Sequence, residues 1–311
     1  MFMKISWCGS AISAVAILFF AHTPAQAWGL KGHTMIGQAA MAHLPADVPA
    51  FLRSDDAKNE IIYLQAEEDR LKIGTDMDRA WSREWSTDHY LDVDDNSMIG
   101  GVLSLTALPE TRDSYIKALW SAAKPTDPYS VGFLPYAILE GYEQVRADFA
   151  LWRLAPAAER DRRASLTIHD IGIFSHFVGD GSQPLHVSVH FNGWGDYPNP
   201  QDYTDSHTFH EDYETHFVDD NVTVDDVSPL VGTPKILPDV PLGAIEHYIL
   251  ESNARVVPLY DLAKRGAMDA TGTPATRAEL VSLTSDQLAA AATMLDSLIE
   301  TAWRSSATLK E

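Results

Sequence analysis

Residues 176–186 read His176-Phe-Val-Gly-Asp180-Gly-Ser-Gln183-Pro184-Leu-His186. His176 and Asp180 stand four apart, so a helix projects both from one face. Pro184 turns the chain and lets His186 approach from another direction. Upstream, apolar residues recur at helical spacing and predict a helix over 162–178. The same periodicity, with Ser, Thr or Asp at the starts, predicts helices over 34–44, 131–154, 209–218, 242–263 and 285–305. No comparable set of alternating strands appears. Two Gly/Pro/Asp-rich stretches, Asn192 to Ser206 and Asp219 to Pro241, supply the punctuation. The expected class is all-α: a single helical domain with long irregular loops, no internal repeat and no low-complexity tract.

A second pair at the same spacing follows in His210-Glu-Asp-Tyr-Glu214. Taken singly, each pair reads as a contact on a helix surface, since charged pairs four apart are common. Two pairs of imidazole and carboxylate in one chain can supply most of a multinuclear metal site. Cysteine usage narrows the donors: Cys8 is the only thiol. It lies in a segment that reads as an export signal, with Lys4 as the positive start, an apolar run from Ala11 to Phe20, and Ala25-Gln26-Ala27 as the small-residue cleavage site. That run is too short to span a bilayer. Cleavage is expected after Ala27, giving a signal over 1–27 and a domain over 28–311 that begins at Trp28. The expected setting is exported, periplasm or medium, with no transmembrane segment in the mature chain and no disulfides. A metal would then be held by His, Asp, Glu and backbone groups, a donor set that suits zinc. The chain carries 44 acidic against 23 basic side chains, a net charge of −21, which argues against holding a polyanion on a basic surface. Nothing in it implies a stable protein partner.

Trp28-Gly-Leu-Lys-Gly-His33, Asp76-Met-Asp-Arg79, His89-Tyr-Leu-Asp92, the segment from His176 to His186, and His210 to Glu214 occur in one order. Together they resemble the superfamily of fungal single-strand-specific zinc nucleases and bacterial zinc-dependent phospholipases C, with features of both branches. The resemblance covers Trp28 to Glu214; the C-terminal third adds only helices. It implies an all-α fold with three zinc ions in a cleft. One ion would be held by Asp76, His89, His176 and Asp180, and a second by His186, His210 and Glu214. The third would take His33, Asp180 as a bridge, and the free α-amine and carbonyl of Trp28. The last set gives cleavage at Ala27 a physical purpose, because an amine lone pair binds metal and an amide nitrogen does not. Asp78 competes with Asp76 for its place, and His207 with His210.

The resemblance further implies water activation for P–O ester hydrolysis, with Asp76, Asp180 and Arg79 as catalytic groups and Arg79 countering charge on the transition state. Tyr90 would stack on a base and Asp92 would accept hydrogen bonds from it; core packing and helix capping are the plain alternatives for the two. His43, His169 and His247 are expected to be structural or exposed. His190, His207 and His216 are expected to be exposed polar groups near the metal motifs. The spacing of Trp28 and His33, Arg79, and Gln-Pro-Leu-His resemble the nucleases, whereas Glu214 as the last ligand resembles the phospholipases. Ser182 stands where the nucleases carry a histidine. The expected substrate is single-stranded nucleic acid or nucleotides, the alternative is phospholipid, and the reading from another class is a non-catalytic zinc-binding protein.

Overall fold

The computed structural model describes residues 28–71, 86–269 and 271–309. Its helices are α1 (Gly29–His43), α2 (Asp55–Leu64), α3 (Glu67–Leu71), α4 (Arg112–Trp120), α5 (Leu134–Leu154) and α6 (Arg160–Asp180). There follow α7 (Phe209–Glu211), α8 (Val218–Asn221), α9 (Val224–Val227), α10 (Leu242–Asn253), α11 (Val256–Lys264) and α12 (Pro274–Ser305). A π-helical segment over Asp212–Phe217 joins α7 to α8 in one continuous helix. The described strands are β1 (Met98–Ile99) and β2 (Leu103–Ser104), paired antiparallel with Met98 opposite Ser104. The fold is all-α, and no described helix is long and apolar enough to cross a membrane.

Local chemistry sets several of these boundaries. The Ser54 hydroxyl accepts from the Ala57 amide at the start of α2, where Asp55 and Asp56 also complement the helix dipole. The Thr273 hydroxyl accepts from the Thr276 amide at the start of α12, with Pro274 as the first helical residue. This cap opens α12 at Pro274 rather than at Ser285, where the apolar periodicity alone placed it. The single helix expected over 242–263 is two helices. Pro258 has no amide hydrogen for the carbonyl four residues back, so the helix ends at Asn253 and restarts with Pro258 in the first turn of α11.

The layers are built around α6. Helix α5 runs against it on one side and α2 on another, while α12 packs on both α1 and α5. Contact with α2 is close because position 172 is glycine: a Cβ there would lie 2.5 Å from Leu64 Cβ. Trp28, Tyr115, Tyr142, Phe133 and Phe149 fill the core with large side chains. This packing carries the C-terminal end of α6, with His176 and Asp180, into the interior.

Candidate metal centre

A buried helix end leaves carbonyls that need donors. At the end of α6 they come from distant side chains. The Tyr248 hydroxyl donates to Val178 O at 2.6 Å, the Trp28 indole N–H to Gly179 O at 3.0 Å, and the Gln287 amide to Ser182 O at 2.7 Å. Trp28 Nε1 also lies 2.9 Å from Ser182 Oγ, so Ser182 ties the first described residue to this turn. Gly179 leaves room for the His33 ring, since a Cβ would lie 2.9 Å from its Cε1 and Nδ1. The segment 87–93 crosses in front. It bonds to the turn after α6 through Leu91 N to His186 O at 2.8 Å, and to the start of α5 through Phe133 N to Thr87 O at 2.7 Å.

This framework brings His33, His89, His176 and Asp180 together in the interior. Asp180 faces them with both oxygens: Oδ1 lies 3.4 Å from His33 Nε2, and Oδ2 lies 3.1 Å from His89 Nδ1 and 3.4 Å from His176 Nε2. The His33 and His176 rings stack at 4.1 Å. Asp69, in the middle of α3, joins them with Oδ1 3.9 Å from His176 Nε2. The sequence offered no signal for it, because Glu67-Glu68-Asp69 reads as a solvated acidic run. Glu68 is buried as well, and its carboxyl is pushed up to about 8 by burial, then by Asp180, Asp88, Asp69 and Glu67. The cluster therefore holds more negative charge than the surrounding interior can solvate, a condition that a cation relieves.

A second group forms where the Pro184 turn meets the α7 helix. His210 Nε2 lies 2.8 Å and His186 Nε2 3.7 Å from Glu214 Oε2. The pair four apart stays in register although the helix widens into its π segment directly after Glu211, a form that often marks functional positions. Burial alone would raise the Glu214 carboxyl, but the His210 and His186 imidazoles beside it hold it at about 2.

Tautomers decide what these groups can bind. His176 Nδ1 faces Gln65 O at 2.8 Å, His186 Nδ1 faces His89 O at 2.6 Å, and His210 Nδ1 faces Phe191 O at 2.9 Å. A carbonyl only accepts, so each Nδ1 carries the hydrogen and each Nε2 presents a lone pair. His176 Nε2 lies 3.0 Å from His89 Nδ1, and the lone pair of His210 Nε2 faces the Glu214 carboxylate, itself an acceptor. Among the described residues, His186 Nε2 and Glu214 Oε1 are buried without a hydrogen-bond partner. Acceptors meeting acceptors in a dry interior fit a metal ion, with the outward N–H of each ring orienting it as in metal-bound histidines. The donors of three such groups, His33/Asp69/His176, His89/His176/Asp180 and His186/His210/Glu214, each lie within 4.8 Å of one another.

The other expectations fall as follows. Asp76, its competitor Asp78, and Arg79 lie outside the described residues. His207 is exposed, whereas His210 is buried at Glu214, so the structure separates those two. His43, His169, His216 and His247 are exposed. His190, expected to be an exposed polar group, is buried. Its ring stacks on Trp194 at 3.7 Å, and its nitrogens face Trp194 O and Asp95 Oδ1 at 2.8 and 2.9 Å. The Asn192 to Ser206 loop folds Trp194 inward against this ring. Tyr90 is half-buried and its hydroxyl donates to Tyr129 O at 3.1 Å. Burial pushes the Asp92 carboxyl up to about 8, and Tyr197 at the rim is raised by burial and by Asp92, Asp94, Asp95 and Asp196.

The chain matches no protein-family model and no curated protein. Among solved structures it is similar to the alpha toxin from Clostridium absonum, at 14% identity and a TM-score of 0.43, over 91% of this chain and 67% of that one. It is also similar to the Clostridium perfringens alpha-toxin isolated from avian strain SWCP, at 15% identity and a TM-score of 0.39, over 88% of this chain and 64% of that one.

Proposed function

We propose that this chain is an exported zinc-dependent hydrolase of phosphodiester bonds. The observation that carries the reading is the convergence of imidazole lone pairs on buried carboxylates, with the outward nitrogens tied to carbonyls. His186, His210 and Glu214 would hold one ion. His89, His176 and Asp180 would hold another, completed by Asp76 or by Asp69. His33 and Asp180 would share a third with the amine and carbonyl of Trp28, once cleavage at Ala27 frees that amine. Zinc bound there would supply Lewis acidity toward the phosphate ester and its attacking water.

The chain's own residues do the rest. Asp180 offers one oxygen to each side of its cluster, so it spaces the donors and fixes their orientation. Carbonyls of Gln65, His89 and Phe191 hold three imidazoles in the tautomer that binds metal. Arg79 would counter the charge gathering on the phosphoryl oxygens. Asp92, whose carboxyl burial raises, would hydrogen-bond the substrate, with Tyr90 beside it.

On substrate, we propose phospholipid headgroup esters ahead of nucleic acid. A charge of −21 repels a long polyanion, and Asp92, Asp94, Asp95 and Asp196 bear electrostatically on Tyr197. Aromatic faces with acidic neighbours favour a cationic group beyond the phosphate. Hydrolysis of bis(p-nitrophenyl) phosphate before and after chelation tests the reaction class, and phosphatidylcholine vesicles against single-stranded DNA test the substrate. Cleavage of DNA alone would restore the nuclease reading. No turnover by zinc-loaded protein starting at Trp28 would leave a non-catalytic zinc-binding protein.

A further inference from the structure

Gln183 sits at the junction of every donor in the second group. It is fully buried, a place where an amide must find partners for both of its ends. Its Oε1 accepts from Leu185 N at 2.6 Å and so caps the short turn Pro184–Val187 that carries His186. Its Nε2 donates to Glu214 Oε2 at 3.0 Å and faces the lone pair of His210 Nε2 at 3.2 Å. One side chain thus fixes the turn bearing the first imidazole, the nitrogen of the second, and one oxygen of the carboxylate. With Oε2 taken by this amide, Oε1 of Glu214 is left without a hydrogen-bond partner among the described residues.

We infer that Gln183 is a positioning residue for a metal at His186, His210 and Glu214: it orients the carboxylate so that a cation binds without a search for the rotamer. This rests on the zinc reading above. Capping the turn needs only an oxygen, which Ser, Asn or Asp also supply at such a position. Reaching Glu214 and His210 from the same backbone needs the length of Gln and its N–H donors. Removing a hydrogen-bond partner of a metal ligand costs 10–100-fold in affinity as an order of magnitude.

Two substitutions separate the functions. Gln183→Asn keeps a capping oxygen and draws the amide back by about 1.5 Å, the length of one C–C bond. Gln183→Met keeps the volume and removes cap and donors together. Each variant, full-length mature protein, is titrated with zinc against a chromophoric chelator, and cobalt-substituted samples are compared by visible absorption. In both variants one class of zinc site is expected to weaken about 10–100-fold with a changed cobalt spectrum, the remaining sites binding as in the parent. The Met variant should in addition unfold at lower temperature with chelator present. If Gln183→Asn binds zinc as tightly as the parent, with the same cobalt spectrum, Gln183 only caps the turn and the inference falls alone. If the parent binds no zinc, the inference falls together with the function proposed above. Should Gln183→Met fail to fold, the Asn variant decides.

Discussion

Gly179→Ala sets two physical effects against each other at the centre of the site. Alanine is favoured over glycine within a helix by up to about 1 kcal/mol, and position 179 belongs to α6. The new Cβ, however, would sit 2.9 Å from His33 Cε1 and Nδ1 and 3.3 Å from Ile36 Cδ1. Carbon contacts settle near 3.5–4.0 Å, so His33 or α1 must give way by about 0.6 Å. His33 and Ile36 are fully buried, His33 stacks on His176, and the ring cannot swing into solvent. Overpacking of this kind costs about 1–3 kcal/mol. The expected net change is a destabilisation of about 0–2 kcal/mol, with a larger proportional loss of metal affinity because the contact between His33 Nε2 and Asp180 Oδ1 opens beyond 3.4 Å. Urea denaturation in chelator gives the first quantity and zinc competition the second. A variant more stable than the parent by about 1 kcal/mol, with unchanged zinc binding, would refute the tight seat of His33 on α6.

Other perturbations bear on separate parts of the account. Asp180→Ala should abolish hydrolysis and remove zinc from the first cluster, since both carboxylate oxygens face its imidazoles; unchanged zinc by mass spectrometry of native protein would contradict the bridging role. Trp28→Phe trims a fully buried indole and deletes the N–H to Gly179 O and Ser182 Oγ, so urea denaturation should show a loss of at least about 1 kcal/mol, and no loss would mean that the indole does not hold the turn. Asp296 on α12 is fully buried, both its oxygens lack partners among the described residues, and burial, then Glu300, hold its carboxyl well above the usual range against the pull of Lys58. A folded-state pKa above the unfolded value makes the folded state the tighter binder of the proton. That stabilisation is complete below the unfolded pKa and drains away as pH rises through the folded one, by at most about 1.4 kcal/mol per pH unit. Asp296→Asn should flatten this decline, and parallel stability profiles for parent and variant would sink the assignment.

Much of the site was legible because helical spacing is geometric. His176 with Asp180 and His210 with Glu214 each needed only a four-residue step, and the structure finds both pairs buried and facing one another. Pro184 announced the turn that presents His186. Asp69 and Glu68 were not legible, since their places depend on how α3 packs against α6, and no local pattern distinguishes them from surface groups; Gln183 stood in the Gln-Pro-Leu-His motif, but its reach to Glu214 and His210 did not show in the sequence. The inward fold of His190 onto Trp194 likewise depends on how the 192–206 loop packs, which no local pattern reports. Helix boundaries followed capping more than periodicity. Thr273 with Pro274 opened α12, Pro258 divided the helix expected over 242–263, and α2 and α4 were too short for their apolar stripes to stand out.

The central claim is that the buried lone pairs and carboxylates hold zinc and that this zinc is needed for phosphodiester hydrolysis. Elemental analysis of purified mature protein, paired with bis(p-nitrophenyl) phosphate turnover through a cycle of chelation and zinc restoration, addresses it directly. Stoichiometric zinc approaching three ions per chain is expected, with activity lost on chelation and recovered when zinc is returned. Protein without zinc that takes up none on titration, or turnover that persists after all zinc is removed, would contradict it.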